Sequence, residues 1–246
     1  NSSFYPWTNW GGRFDSQWSL SPAVAENPRN MASTRLQIAH LVHSNYKSEY
    51  ESIFGTLDPA LPPGAVDGAR FPAWGKPKAC ASDPDGPWEL MAAGDRTIVN
   101  TIFANFGKAI QAYMRLLVSR NAPFDRWMAG DCVAVSGSAK GGAQLFVGKA
   151  RCSTCHSNSH FSDDLFHNLG VPQGVPPMPD QARFNDAASL IGASAINSAN
   201  ATLSNNPTVG AARLAGLTNP MPESTRGAFR TPDLRGVAET APYMHS

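Results

Sequence analysis

Apolar residues recur at helical spacing in two long stretches of the chain. In the first, Leu36, Ile38, Ala39, Val42, Tyr46, Tyr50 and Phe54 follow Ser33 or Thr34, either of which can cap a helix, and Gly55 ends the run. The second is the stronger. From about Asp95 to Arg120, Ile98, Ile102, Phe103, Phe106, Ile110, Tyr113, Met114 and Leu117 repeat on one face, which predicts a rod of roughly 38 Å whose stripe is core. A shorter helix is expected from Ser136 or Ser138, carrying Leu145 and Phe146, with a helical turn around Asn206 to Leu214. The segments Asp58 to Pro87 and 171 to 225 are rich in Pro, Gly, Asp, Asn and Ser and lack alternating apolar positions, so they read as long connections. Strand signals are nearly absent. The predicted fold class is mainly α.

The length, 246 residues with 42% hydrophobic and 16% charged, suits two modest domains. Every apolar stretch is broken by Gly, Asn or Lys well short of the ~20 residues a bilayer requires, so no membrane span is expected. A net charge of +1 offers no basic field for nucleic acid and no acidic tail.

The chemistry concentrates in Cys152-Ser-Thr-Cys155-His156. The CxxCH spacing lets two thiols reach the two vinyl groups of a haem while the histidine becomes the proximal iron ligand. A structural zinc site needs a second ligand pair, and a thioredoxin-like dithiol sits in a βαβ pattern; neither context is present. One covalent c-type haem is therefore expected, on Cys152 and Cys155, with His156 on the iron. Leu145 and Phe146 are placed to cover a haem edge. Such thioethers are normally made outside the cytoplasm, which implies a periplasmic protein and a signal segment upstream. There Cys80 and Cys132 would either be oxidised to each other or remain two free buried thiols. The chain begins at Asn1 without Met and stops at Ser246 without a turn signal, and so reads as a piece of a longer protein.

The remaining histidines and methionines carry less. His40 and His43 share a helix face at a metal-compatible spacing but have no acidic companion, which favours a solvated face. His160 and His167 flank the haem motif, and His167 is expected to hydrogen-bond within a loop. Met178, Met221 and Met244 lie downstream of it, where a generic electron-transfer haem would find a thioether ligand.

The chain resembles the bacterial di-haem cytochrome c peroxidases and their MauG-type relatives over nearly its whole length. The resemblance is carried by Asn9-Trp10-Gly-Gly-Arg13 with Asp15-Ser16, by Phe103-Ala-Asn-Phe-Gly-Lys-Ala-Ile110, and by Leu117-Val-Ser-Arg-Asn-Ala-Pro-Phe-Asp-Arg126. It continues through the haem motif into Phe166-His-Asn-Leu-Gly-Val-Pro172, then Arg226-Gly-Ala-Phe-Arg-Thr-Pro232 and Thr240-Ala-Pro-Tyr-Met-His245. It implies cytochrome c-like haem domains with long loops: residues 1–132 as the remnant of an N-terminal, peroxidatic domain lacking its CxxCH, and 133–246 as a C-terminal c-type haem domain. A second haem is implied for the full-length protein. The implied function is reduction of hydrogen peroxide with electrons relayed through the C-terminal haem from a small donor protein, a cytochrome c or a cupredoxin. The alternatives are a MauG-like oxidase modifying a partner protein and a non-catalytic electron-transfer cytochrome. Relatives often form homodimers.

By the same resemblance Cys152, Cys155 and His156 match the C-terminal haem attachment, and Trp10 matches a tryptophan between the two haems, an electron relay. Read alone, Trp10 is equally a packed indole. Arg230 matches an arginine of the haem environment, where a guanidinium suits propionates; as a bland alternative, it or Arg235 is a surface cation. Thr240 and Pro242 match positions whose backbone carbonyls bind calcium, although the expected Asn ligand would lie upstream of Asn1. His245 is expected beside the haem rather than on the iron. The distal ligand, Met or Tyr in relatives, would fall beyond Ser246, which leaves Met178, Met221 and Met244 as packing residues. One departure bears on catalysis. Where relatives place an acidic residue before a Met, this chain has Asn30 in Glu26-Asn-Pro-Arg-Asn30-Met31, and an amide cannot shuttle a proton. Glu26 is a candidate substitute, or a helix-start or surface carboxylate.

Overall fold

The computed structural model describes residues 1–59, 61, 70–171, 180–191, 197, 200 and 203–243. Eight α-helices are present among them: α1 (Gln17–Glu26), α2 (Arg35–Phe54), α3 (Pro87–Leu90), α4 (Ala93–Met114), α5 (Pro123–Met128), α6 (Gly137–Val147), α7 (Arg183–Asp186) and α8 (Pro207–Leu214). Two-residue strands β1 (Phe166–His167) and β2 (Phe229–Arg230) pair antiparallel, Phe166 opposite Arg230 and His167 opposite Phe229. The fold is mainly α, as its periodicity predicts.

The chain divides into two compact units. One comprises 1–13, 113–188 and 218–246; the other comprises 14–112 and 189–217.

The second unit holds the large apolar core. Thr34 caps α2 by accepting from the Gln37 N–H at 3.3 Å, and its hydroxyl also accepts from the Gly75 N–H at 3.1 Å, tying a loop to the cap. Gly55 ends the helix at φ 91°, a conformation side chains avoid. Leu36, Ile38, Ala39 and Val42 of α2 pack with Val99, Ile102 and Phe103 of α4, and Phe71, Trp88 and Met91 from the connection close the cluster. Tyr46 departs from the predicted stripe. It sits at a kink (φ −134°, ψ 20°) and is exposed. The histidines of α2 also depart from the predicted solvated face: His40 is buried, with Nε2 2.9 Å from the Pro72 carbonyl, and so anchors the long loop. His43 is half-buried, and burial, followed by the nearby Lys47 cation, lowers its pKa.

Glu26 is neither at a helix start nor on the surface. It ends α1, where Arg35 donates to both carboxylate oxygens (2.9 and 2.8 Å) and the Arg35 backbone N–H adds a third bond at 3.0 Å. The Arg35 guanidinium also donates to Asn100 Oδ1 at 2.6 Å and lies 5.1 Å over the Trp88 ring and 5.4 Å over that of Phe103. This cation is thus satisfied on its edges and stacked on its faces, the arrangement that makes burial of Arg tolerable.

Helix α4 is 22 residues, ~33 Å, and stops six residues short of the expected end. The missing turn is explained by packing: Tyr113, Leu116 and Leu117 are exposed, so the apolar pattern has no surface to bury against, and an uncovered last turn is marginal. Two tight turns replace it, Leu116 N–H to the Tyr113 carbonyl and Leu117 N–H to that of Met114. Nearer its middle, Gly107 meets the turn of α1 at which Pro22 leaves the Trp18 carbonyl without a helical donor. A Cβ on Gly107 would overlap the Trp18 carbonyl oxygen and lie 2.9 Å from Pro22 Cδ. Gly107→Ala is therefore expected to cost about 3 kcal/mol, read as a lower urea midpoint; an unchanged midpoint would show that the two helices part without penalty.

Candidate functional site

The first unit is built differently. Its buried apolar residues, among those described, are Ala182, Ala187 and Ala228, while Leu145, Val147, Leu165 and Leu169 stand more than half exposed. Among the described residues of this unit, no large apolar side chain is fully buried.

Its chemistry begins at α6. Ser136 caps that helix by accepting from the Ala139 N–H at 3.1 Å, as predicted, and the helix ends at Gly148, where a Cβ would lie 2.7 Å from the Gln144 carbonyl oxygen. The chain reverses through Arg151, left-handed at φ 57°, into a single 3₁₀ turn, Cys152–Thr154. Cys155 N–H and His156 N–H both donate to the Cys152 carbonyl, at 3.3 and 3.0 Å, so one turn gathers Cys152, Cys155 and His156. The two thiols are free, Cys152 exposed and Cys155 half-exposed. Cys80 and Cys132 are also free, and both are exposed rather than buried.

His156 Nδ1 lies 2.9 Å from the Phe161 carbonyl oxygen. A carbonyl only accepts, so Nδ1 carries the proton and Nε2 keeps its lone pair, the tautomer a proximal ligand needs. Phe146 packs beside this imidazole, ring centres 6.5 Å apart, and edge-on to Phe161 at 6.3 Å.

Arg230 and Trp10 are brought together at β2: the Arg230 N–H donates to the Trp10 carbonyl at 2.8 Å, and the Trp10 side chain is 40% exposed, so its indole is not fully packed away. The Arg230 guanidinium is only 10% exposed, which separates it from a surface cation; it lies 4.0 Å over Tyr5, donates through Nη1 to the Thr231 carbonyl at 3.0 Å and approaches Asp164 at 4.0 Å. Its buried Nε has no hydrogen-bond partner among the described residues. An unsatisfied donor on a buried cation is costly, and a carboxylate is its natural complement. Arg235 is likewise no loose surface cation: it donates from Nη1 to both Asp125 oxygens at 3.0 Å and from Nε to the Ser159 carbonyl.

Tyr5 follows from this environment. Burial, reinforced by the Asp233 carboxylate and opposed by the Arg230 cation, pushes its hydroxyl up to about 12. The raised pKa means that Tyr5 favours the folded state only while protonated there; this contribution is lost as pH rises from the ordinary value of 10.0 through about 12. Tyrosine ring NMR should show one resonance, absent in Tyr5→Phe, titrating about two pH units late. Titration with the exposed tyrosines would contradict the burial.

Other expected residues lie elsewhere. Thr240 and Pro242 are exposed, and the Thr240 hydroxyl donates to the Val237 carbonyl. Met178, Met244 and His245 fall outside the described residues. The Met221 sulfur accepts from the Thr218 N–H at 3.4 Å, a packing role. Asn30 is exposed in the turn after α1, in the other unit.

Three arrangements were not read from the sequence. Arg183 is buried between the Trp7 and Phe166 rings (4.3 and 4.5 Å) and donates to the Gly12 carbonyl at 3.0 Å; burial lowers its pKa to about 10. Phe161 and Arg235 build the support under His156. Cys155, Asp163 and His167 place ligand atoms within 4.8 Å of one another, a grouping able to hold a metal ion. The last had a signal, since Asp163 and His167 are four apart; His167 lies in β1 rather than in a loop, and its ring is 2.7 Å from the Asp163 carboxylate.

A covalent haem fits these residues: two free thiols on one turn, an imidazole in the right tautomer, a buried guanidinium donor without a partner among the described residues, and exposed apolar side chains, Leu145 and Val147, shortly before the motif.

Several known proteins are similar to part of the chain. The chain is 36% identical over 137 residues to the methylamine utilization protein MauG of Methylorubrum extorquens, covering 56% of this chain and 29% of that protein. It is 38% identical over 145 residues to the cytochrome-c peroxidase IdrP1 of Denitromonas iodatirespirans (56% and 36%), and 30% over 148 residues to the cytochrome c551 peroxidase of Pseudomonas aeruginosa (58% and 33%). The matched stretch spans about a third of the length of these relatives. No described helix is long and apolar enough to cross a membrane. Residues 1–132, more than half the chain, match the family model, and the chain belongs to the di-haem cytochrome c peroxidase family.

Proposed function

We propose that the chain carries the electron-relaying haem of a periplasmic peroxidase, which reduces hydrogen peroxide with electrons from a small donor protein, a cytochrome c or cupredoxin. Residues 133–246 form the haem domain in this reading, 1–132 belong to the peroxidatic domain, and the Thr240 and Pro242 carbonyls contribute to a calcium site. When bound, the haem supplies a one-electron couple. Cys152 and Cys155 would hold it through thioethers, and His156, its proton fixed on Nδ1 by the Phe161 carbonyl, would offer Nε2 to the iron. The Arg230 Nε would take a propionate oxygen. Trp10, tied to Arg230 through its backbone, would be the aromatic relay between this haem and the second one.

The His156 to Phe161 hydrogen bond on a CxxCH turn is the observation that carries this reading. The test is maturation of this chain in a bacterial periplasm, followed by pyridine-haemochrome spectroscopy and peroxide assay. One c-type haem per chain and little or no peroxide turnover are expected. Turnover equal to that of an intact di-haem enzyme would contradict the assignment of this haem to relay rather than to peroxide chemistry.

A second reading, electron transfer without peroxide reduction, gains from the surroundings of Asn30. That position has no titratable group, and Glu26, the substitute the sequence offered, has both oxygens committed to Arg35. A MauG-like oxidation of a partner protein, which the family resemblance implies, is the remaining alternative.

A further inference from the structure

Phe161 occupies the left-handed region at φ 57°, an outlier for a bulky aromatic residue. Strain of this kind persists only when its surroundings over-determine it, and here they do. The Phe161 ring is held edge-on by Phe124 (5.4 Å) and Phe146 (6.3 Å), and the Arg235 guanidinium lies 5.5 Å over its face. Arg235 is itself anchored: its Nη1 bonds both Asp125 oxygens, and its Nε bonds the Ser159 carbonyl, two residues before Phe161. Asp125 in turn accepts from the Ala122 N–H at the start of α5, and Arg235 and that Ala122 N–H together lower its pKa. The carbonyl this clamp aims is the one that accepts from His156 Nδ1.

We infer that Phe161 and Arg235 are positioning residues that set the strength of the Nδ1–H bond, and through it the basicity of the axial imidazole. A firm acceptor gives the imidazole more anionic character, which favours ferric over ferrous iron; a slack one does the reverse. The inference rests on the proposed attachment of haem at His156. It goes beyond that attachment by assigning the tuning of the couple to an aromatic ring and a cation that neither bond iron nor occupy the CxxCH motif.

The test uses the periplasmically matured chain and three variants. Phe161→Gly allows the left-handed conformation but removes the ring that enforces it. Arg235→Gln loosens the clamp from outside. Phe161→Tyr keeps the ring. Haem content by pyridine haemochrome is measured first, because absence of covalent haem in the parent chain would overturn the underlying attachment, separately from the clamp. In the loaded proteins, the ferrous-to-ferric ratio at a fixed applied potential should rise at least threefold in Phe161→Gly, rise less in Arg235→Gln and stay unchanged in Phe161→Tyr. A merely structural role would lower thermal stability in the first two and leave that ratio alone, which would overturn the inference. Should Phe161→Gly fail to load haem, Arg235→Gln decides by the same criterion.

Discussion

Replacing Cys152 and Cys155 together by alanine is expected to abolish covalent haem and, with it, the order of the unit that carries the motif. The reason is the composition of that unit's interior. Its fully buried apolar residues among those described are alanines, and Leu145, Val147, Leu165 and Leu169 are more than half exposed. Covering one such side chain contributes about 2 kcal/mol, so loss of a haem that covers any three of these four removes about 6 kcal/mol, as much as the whole stability of many domains. Limited proteolysis should cut the double variant within 145–171 under conditions in which the matured parent is resistant. The core formed by α2 and α4 belongs to the other unit and should stay resistant. Equal protection of 145–171 in both proteins would show that the unit has a core of its own.

In the other unit, Arg35→Ala should be the most damaging single change, costing about 4 kcal/mol. It strands the Glu26 carboxylate, which loses both guanidinium bonds while 16% exposed, and it removes the cation stacked on Trp88 and Phe103. Arg35→Lys should recover little, because an ammonium cannot form the two-bond fork or stack on both rings. Urea unfolding followed by tryptophan fluorescence reads both variants, as a fall in midpoint at unchanged slope. A loss below about 1 kcal/mol for Arg35→Ala would place the pair with ordinary surface ion pairs.

The helices were legible where local rules decide them. Thr34, Gly55 and Ser136 cap or stop helices as their chemistry predicts, because a cap is settled by a few neighbouring atoms. The end of α4 was not, since its apolar pattern runs on through Leu117 and only the absence of a packing surface stops the helix. His40 was misread for the related reason that its partner, the Pro72 carbonyl, comes from a loop whose path is not written in helical spacing. The CxxCH motif is local, five consecutive residues, and stands in the sequence as such. Its support was hidden: Arg235 lies more than 70 residues from Phe161 in sequence and meets it only through the fold. The buried Arg183 between Trp7 and Phe166 is of the same kind, three residues far apart in the chain that a sequence shows as unrelated.

The account turns on a tetrapyrrole covalently attached at one turn of the chain. Intact mass spectrometry of the periplasmically matured protein after acid–organic extraction, followed by peptide mapping, tests this most directly. The prediction is a mass raised by a single haem, with the increment confined to the peptide containing Cys152 and Cys155. A bare polypeptide mass, a disulfide between those two cysteines, or an increment on a peptide holding Cys80 or Cys132 would contradict it.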